Sequence, residues 1–106
     1  MYYTYMLRCE DNSIYTGITS DISRRMKEHF NKDKKCAKYT KTHQAQKLES
    51  AWKSDNKVLA SKLEYWIKSL SKQDKEKLIN NNYYLNELFI DKIEHDKYIS
   101  INVSSV

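Results

Sequence analysis

Between residues 15 and 29 the chain reads Tyr15-Thr16-Gly17-Ile18-Thr19-Ser20-Asp21-Ile22-Ser23-Arg24-Arg25-Met26-Lys27-Glu28-His29, with an arginine and a histidine four residues apart. At about 100° per residue, a helix starting near Ile22 sets Ile22, Met26 and Phe30 on one apolar stripe, with Arg25 and His29 together on its flank. Residues at this spacing are neighbours on a helix. The pair offers a permanent cation beside a group that gains or loses a proton near neutral pH. The same wheel sends Arg24, Lys27 and Glu28 to the solvent side. The plainer reading of the pair is an edge arginine and a partly buried, hydrogen-bonded histidine.

The elements before it must position this pair. Tyr2 to Cys9 is rich in β-forming residues, Glu10-Asp11-Asn12-Ser13 is a turn-forming cluster, and Ile14 to Ile18 reads as a second strand, so the three make a hairpin. Side chains alternate along a strand, so Tyr3, Tyr5 and Leu7 share one face of the first strand, and Tyr15 and Gly17 share one face of the second. A turn of odd length sets Tyr5 opposite Gly17 and diagonal to Tyr15. The only glycine in the chain then leaves a hollow between two phenols. Thr19 or Ser20 is the expected N-cap of the helix, with Asp21 in its first turn and the end near Phe30.

Charge points to the partner. The formal net charge is +5, and residues 21–47 carry nine Lys/Arg against three Asp/Glu while residues 48–106 balance. A basic segment holding Lys32, Lys34, Lys35, Lys38 and Lys41, interleaved with Tyr39 and His43, is the footprint of a polyanion-binding surface, nucleic acid above all. A solvated lysine face has a similar composition. Apolar residues are sparse from Asn31 to Gln46, which predicts a loop, and loops of this length are commonly functional or mobile.

Further on, Lys47 to Trp52 supplies a third strand, and a helix starting near Ser54 carries Leu59, Leu63, Trp66, Ile67 and Leu70 on one stripe. Glu64 falls at the margin of that stripe. A simple ion pair with Lys68, four residues on, is the plain explanation for it. Ser71-Lys72-Gln73-Asp74 resembles a capping box opening a helix to about Ile79, and Asn80-Asn81-Asn82 breaks it. Tyr84, Leu85, Leu88 and Phe89 recur at helical intervals, and Tyr98 to Val103 alternates as a strand does.

At 106 residues and 12.7 kDa the chain is one domain with one modest core. It has no apolar run able to span a bilayer, its start lacks the regions of a signal peptide, and two cysteines are too few for a disulfide framework or an unaided zinc site. A cytoplasmic protein with reduced Cys9 and Cys36, and no membrane partner, is expected.

Hydrolysis of a phosphodiester needs a base for the attacking water, positive charge for the developing oxyanion and a proton for the leaving oxygen. The ordered set of residues here resembles the GIY-YIG nuclease superfamily, specifically its small single-domain bacterial members, over roughly residues 2–79. Tyr3-Thr4-Tyr5 stands at the first tripeptide and Tyr15-Thr16-Gly17 at the second, followed by Thr19, Asp21, Arg25 and His29, then Ala37-Lys38-Tyr39-Thr40, then the helix from Ala60 through Glu64 to Lys68. The resemblance implies an α/β (α+β) fold with a small three-stranded antiparallel sheet flanked by helices. Residues 1–80 would form the nuclease domain, with residues 81–106 a C-terminal extension packed on it. It also implies a divalent-metal-dependent DNA endonuclease. Glu64 would hold one ion, Mg²⁺ or Mn²⁺, Arg25 would stabilise phosphate charge, and Tyr15 or Tyr5, aided by His29, would activate water. Gly17, Lys34, Lys35, Lys38, Tyr39 and Lys41 would meet the DNA. The first tripeptide lacks the family's glycine and isoleucine, Lys34-Lys35-Cys36 replaces a glycine-rich loop, and Lys41-Thr42-His43-Gln44 replaces arginines and a proline. The rival expectation is a nucleic-acid-binding module that keeps the fold and the basic patch without cutting.

Overall fold

The tyrosine-rich start of the chain lies in the interior of the sheet. The computed structural model describes residues 1–32 and 34–106. β1 (Tyr2–Cys9) and β2 (Ile14–Thr19) form the expected antiparallel hairpin. Its ladder closes at Arg8 opposite Ile14, which leaves an odd turn and sets Tyr5 against Gly17 and Leu7 against Tyr15. Asn12 turns the chain in the left-handed region with φ of 69°, a conformation that asparagine tolerates. β3 (Ala45–Ser54) pairs with the other edge of β1 and is longer at both ends than the expected Lys47–Trp52.

The sheet has four strands in the order β2-β1-β3-β4, not three. β4 (Ile99–Ser100) pairs with Trp52 and Lys53, and the Ile101 amide extends the contact by donating to the Ala51 carbonyl at 3.0 Å. The alternating segment at Tyr98 to Val103 thus satisfies part of the edge that β3 would otherwise leave unpaired.

Helices cover both faces. α1 (Ile22–Phe30) is capped by Asp21, whose Oδ1 accepts from the Arg24 amide at 3.1 Å; Thr19 instead accepts from the Asp21 amide, so neither Thr19 nor Ser20 is the cap. α2 (Lys38–Thr42) lies within the stretch expected to be a loop. It is too short and too polar to show a helical period. α3 (Lys57–Lys68) is capped by Asn56 rather than starting at Ser54. Ser71 caps α4 (Lys72–Asn80), as the capping box predicts, and α5 (Leu85–Leu88) follows.

Strand alternation splits the interior in two. Tyr5 and Leu7 pack with Ile22, Met26, Leu48 and Ala51 on the face covered by α1. Met6 and Trp52 pack on the other face with Leu63, Ile67 and Leu78 from α3 and α4 and with Leu85, Phe89, Ile93 and Tyr98 from the tail. The tail is tied down by Tyr98 Oη donating to the Leu59 carbonyl at 2.7 Å and by a Ser50–Asn82–Ser100 hydrogen-bond chain with both links at 2.8 Å. Both cysteines are free and buried, and among the described residues no helix is long and apolar enough to cross a membrane.

Candidate active site

Gly17 is the floor of the site. A Cβ there would lie 2.6 Å from Tyr5 Oη, 2.8 Å from Tyr5 Cζ and 2.9 Å from Tyr15 Cε2, closer than carbon contacts allow. Only a residue without a side chain lets the two phenols close over the strand. α1 brings His29 against them. Ring centroids are 6.2 Å apart for Tyr5 and Tyr15, 5.6 Å for Tyr5 and His29, and 5.5 Å for Tyr15 and His29. Tyr5 and His29 are fully buried, while Tyr15 keeps some exposure to solvent. His29 uses both ring nitrogens, with Nε2 2.7 Å from Tyr5 Oη and Nδ1 2.8 Å from Thr40 Oγ1.

Arg25 shares the flank with His29, as the wheel requires. Its Nη1 donates to Glu28 Oε1 at 2.9 Å and to the Lys35 carbonyl at 2.5 Å, and its charge lies near enough to bear on the Tyr5 phenol. Glu28 therefore does not face open solvent. Its side chain is 12% exposed, because a cation three residues back draws the carboxylate around the helix toward the site. Arg24 is exposed, on the opposite side.

Burial, followed by the nearby Arg25 charge, pushes the His29 pKa down to about 4 against an opposing pull from Glu28. The imidazole is therefore neutral at physiological pH. Burial and then Tyr15 raise the Tyr5 phenol above its ordinary value, while Arg25 works the other way. Burial works against the Arg25 charge, and Glu28 and Tyr5 more than offset it.

Glu64 projects from α3 near enough for its charge to bear on Tyr5. Its side chain is 23% exposed, and Oε2 lies 3.3 Å from Lys68 Nζ, so the expected ion pair is present. Among the described residues no group of three or more His, Cys, Asp or Glu gathers as a metal cage. A lone carboxylate still suits Mg²⁺, which takes one or two protein carboxylates and completes its shell with water and phosphate oxygens.

α2 completes the surroundings. Tyr39 stacks on Tyr15 with centroids 5.6 Å apart, and His43 stacks on Tyr39 at 4.0 Å with planes 10° apart. His43 Nε2 in turn lies 3.6 Å from Asp11 Oδ2 in the hairpin turn. Lys34, Lys35, Lys38 and Lys41 are exposed around this segment, which the Arg25 bond to the Lys35 backbone holds against α1. The sequence assigned no site role to Thr40 or Glu28, and placed His43 only among the residues interleaved with the basic patch. Thr40 and His43 carried a signal nonetheless, since they adjoin Tyr39 on the same short helix. A separate cleft of about 450 Å³ opens on the other flank of α1, lined by Met26, Lys27, Phe30, Leu48, Val103 and Val106 among others, and includes none of these site residues.

Residues 1–80 match the GIY-YIG catalytic domain. The chain belongs to the GIY-YIG family. It is 43% identical over 100 residues to the UPF0213 protein FN1575 of Fusobacterium nucleatum, covering 94% of each chain. It is 40% identical over 79 residues to the UPF0213 protein BH0048 of Halalkalibacterium halodurans, covering 74% of this chain and 82% of that one. The solution NMR structure of the BH0048 protein aligns with a TM-score of 0.49 at 35% identity, covering 88% of this chain and all of that one. The stretch matched by the family includes the paired strands whose register sets Tyr5 over Gly17, with Tyr15 two residues away on the same strand as the glycine.

Proposed function

We propose that the protein is a divalent-metal-dependent endonuclease that hydrolyses phosphodiester bonds in DNA. The observation that carries this reading is the convergence of Tyr5, Tyr15, Arg25 and His29 around Gly17, with the Glu64 charge acting on the same phenol. Arg25 is the fixed cation for the phosphate, and its bond to Glu28 keeps it extended along the helix flank. Tyr15, the phenol with access to solvent, meets the attacking water. Tyr5 and His29, both sealed from solvent, hold that edge of the site rigid from behind. Glu64 is the residue that would hold Mg²⁺ or Mn²⁺. When bound, the ion supplies positive charge to the phosphate oxygens.

Lys34, Lys35, Lys38 and Lys41, with Tyr39 among them, form the DNA-facing rim, which makes affinity fall with rising salt as counterions are released. The free thiols at Cys9 and Cys36 suit a reducing compartment such as the bacterial cytoplasm, where DNA is at hand. The alternative, a binding module that does not cut, is favoured by the Lys68 ammonium already seated on Glu64.

Glu64→Gln separates the two. It keeps the size and helix propensity of the residue and loses only a partly exposed ion pair, so stability changes by less than about 1 kcal/mol. Cleavage of plasmid, single-stranded and branched DNA with Mg²⁺ or Mn²⁺ is expected to fall by about two orders of magnitude or more, while metal-free DNA binding survives. Equal cutting by wild type and variant, or cutting by neither, overturns the metal-nuclease reading; in the second case, retained salt-sensitive binding establishes the module.

A further inference from the structure

We infer that Thr40 is a positioning residue for Arg25, acting through the tautomer of His29 and the hydroxyl of Tyr5. Four groups on three segments form one chain: Tyr5 Oη to His29 Nε2 at 2.7 Å, His29 Nδ1 to Thr40 Oγ1 at 2.8 Å, and Thr40 Oγ1 to the Ala37 carbonyl at the N-cap of its own helix at 3.0 Å. Tyr5, His29 and Thr40 are all fully buried, so an unplaced proton in this chain is costly. A carbonyl only accepts, and a hydroxyl has one proton to give. If Thr40 donates to Ala37, its oxygen accepts from Nδ1–H, and Nε2 is left as the acceptor for the Tyr5 proton. Every proton then has a partner.

The opposite direction fails at its far end. With Thr40 donating to Nδ1, the ring would carry its proton on Nε2 and donate to Tyr5 Oη. Tyr5 Oη is buried and makes no other hydrogen bond among the described residues, so its proton would be left without an acceptor in the field of the Arg25 cation. The first arrangement does the reverse. Because Tyr5 gives its proton to His29, its oxygen lone pairs are left to face the Arg25 charge. The hydrogen bonds of that guanidinium itself run to Glu28 Oε1 and the Lys35 carbonyl. A single threonine hydroxyl, remote from the phosphate-facing cation, sets which way the chain runs.

The catalytic consequence rests on the proposed role of Arg25 at the phosphate; the tautomer does not. Long-range ¹H–¹⁵N correlation spectra of the His29 ring in the full chain at neutral pH read the tautomer directly. Wild type and Thr40→Ser are expected to carry the proton on Nδ1, and Thr40→Val, which keeps the shape but removes the acceptor, to show mixed tautomers. With DNA as substrate, Thr40→Val lowers kcat by about tenfold with little change in KM, and Thr40→Ser restores it. A wild-type ring protonated on Nε2 overturns the inference without any variant, and so does an unchanged ring in a folded Thr40→Val. If the spectra behave as stated but no form of the protein cuts DNA, the nuclease reading fails and the tautomer assignment stands. If wild type cuts and Thr40→Val cuts equally well, the link from Thr40 to Arg25 is wrong.

Discussion

At the scale of single residues, the tightest constraint in the site is the missing side chain at Gly17. Its backbone needs no special conformation, as no glycine here has positive φ, so its role is close approach rather than turning. In Gly17→Ala the new methyl meets the Tyr5 ring, which cannot swing freely because it is fully buried and bonded to His29. Overpacking of this kind costs roughly 1–3 kcal/mol, read as a lower midpoint in urea unfolding. The ¹H–¹⁵N spectrum of His29 is expected to change as the Tyr5 hydroxyl leaves Nε2. An unchanged midpoint together with an unchanged His29 spectrum would show that the phenols have room to spare.

At the scale of elements, the helices hold their places by ties that cross the sheet. Arg8 on β1 bonds Glu49 on β3 at 2.9 Å and Glu76 on α4 at 2.5 Å, and its side chain is 13% exposed. The charge-assisted bond from Arg8 holds the Glu76 carboxyl below its ordinary value. A carboxylate with a depressed folded-state pKa contributes stability that is present above its unfolded value and is lost as pH falls through the folded value. Arg8→Ala leaves two carboxylates facing each other and is expected to cost about 2–3 kcal/mol at neutral pH, below the full cost of a deeply buried pair because Glu76 is one-third exposed. The deficit should shrink on acidification below the carboxylate range, once both acids are protonated in both states. Urea titrations at neutral and acid pH test this, and a deficit that persists or grows in acid would show that packing, not charge, ties α4 to the sheet.

At the scale of the whole molecule, the stretch that matches the family ends at residue 80 while the interior does not. Leu85, Phe89, Ile93 and Tyr98 are 2%, 3%, 6% and 7% exposed and complete the core over Trp52 and Leu63. At about 1.5–3 kcal/mol for each buried side chain, the four contribute roughly 6–12 kcal/mol, comparable with the entire stability of a small domain. A chain ending at Asn80 is therefore expected to lack a cooperative thermal transition and well-dispersed amide resonances. A cooperative transition within about 10 °C of the full chain would mean that the first eighty residues carry their own core, since a loss of even 2 kcal/mol moves the midpoint of a domain this size by roughly that much.

The parts legible in the sequence are those written in a local period. Alternation placed Tyr5, Tyr15 and Gly17 on one face, the odd turn set their register, and the helical wheel put Arg25 beside His29 and sent Arg24 outward. Ser71 announced its cap by the same kind of short-range pattern. What the tertiary structure decided lies where no period reaches. Glu28 turns toward the site because Arg25 and the Lys35 backbone converge there, and Thr40 becomes a site residue because α2 docks on Tyr15 and His29. Alternation marked Tyr98 to Val103 as strand-like, but its joining the sheet as a fourth strand was decided by the open edge of β3 some fifty residues earlier in the chain. A side chain's periodic position tells which face it takes, but its partner on another element is chosen by which buried protons and open edges remain to be satisfied once the chain has folded.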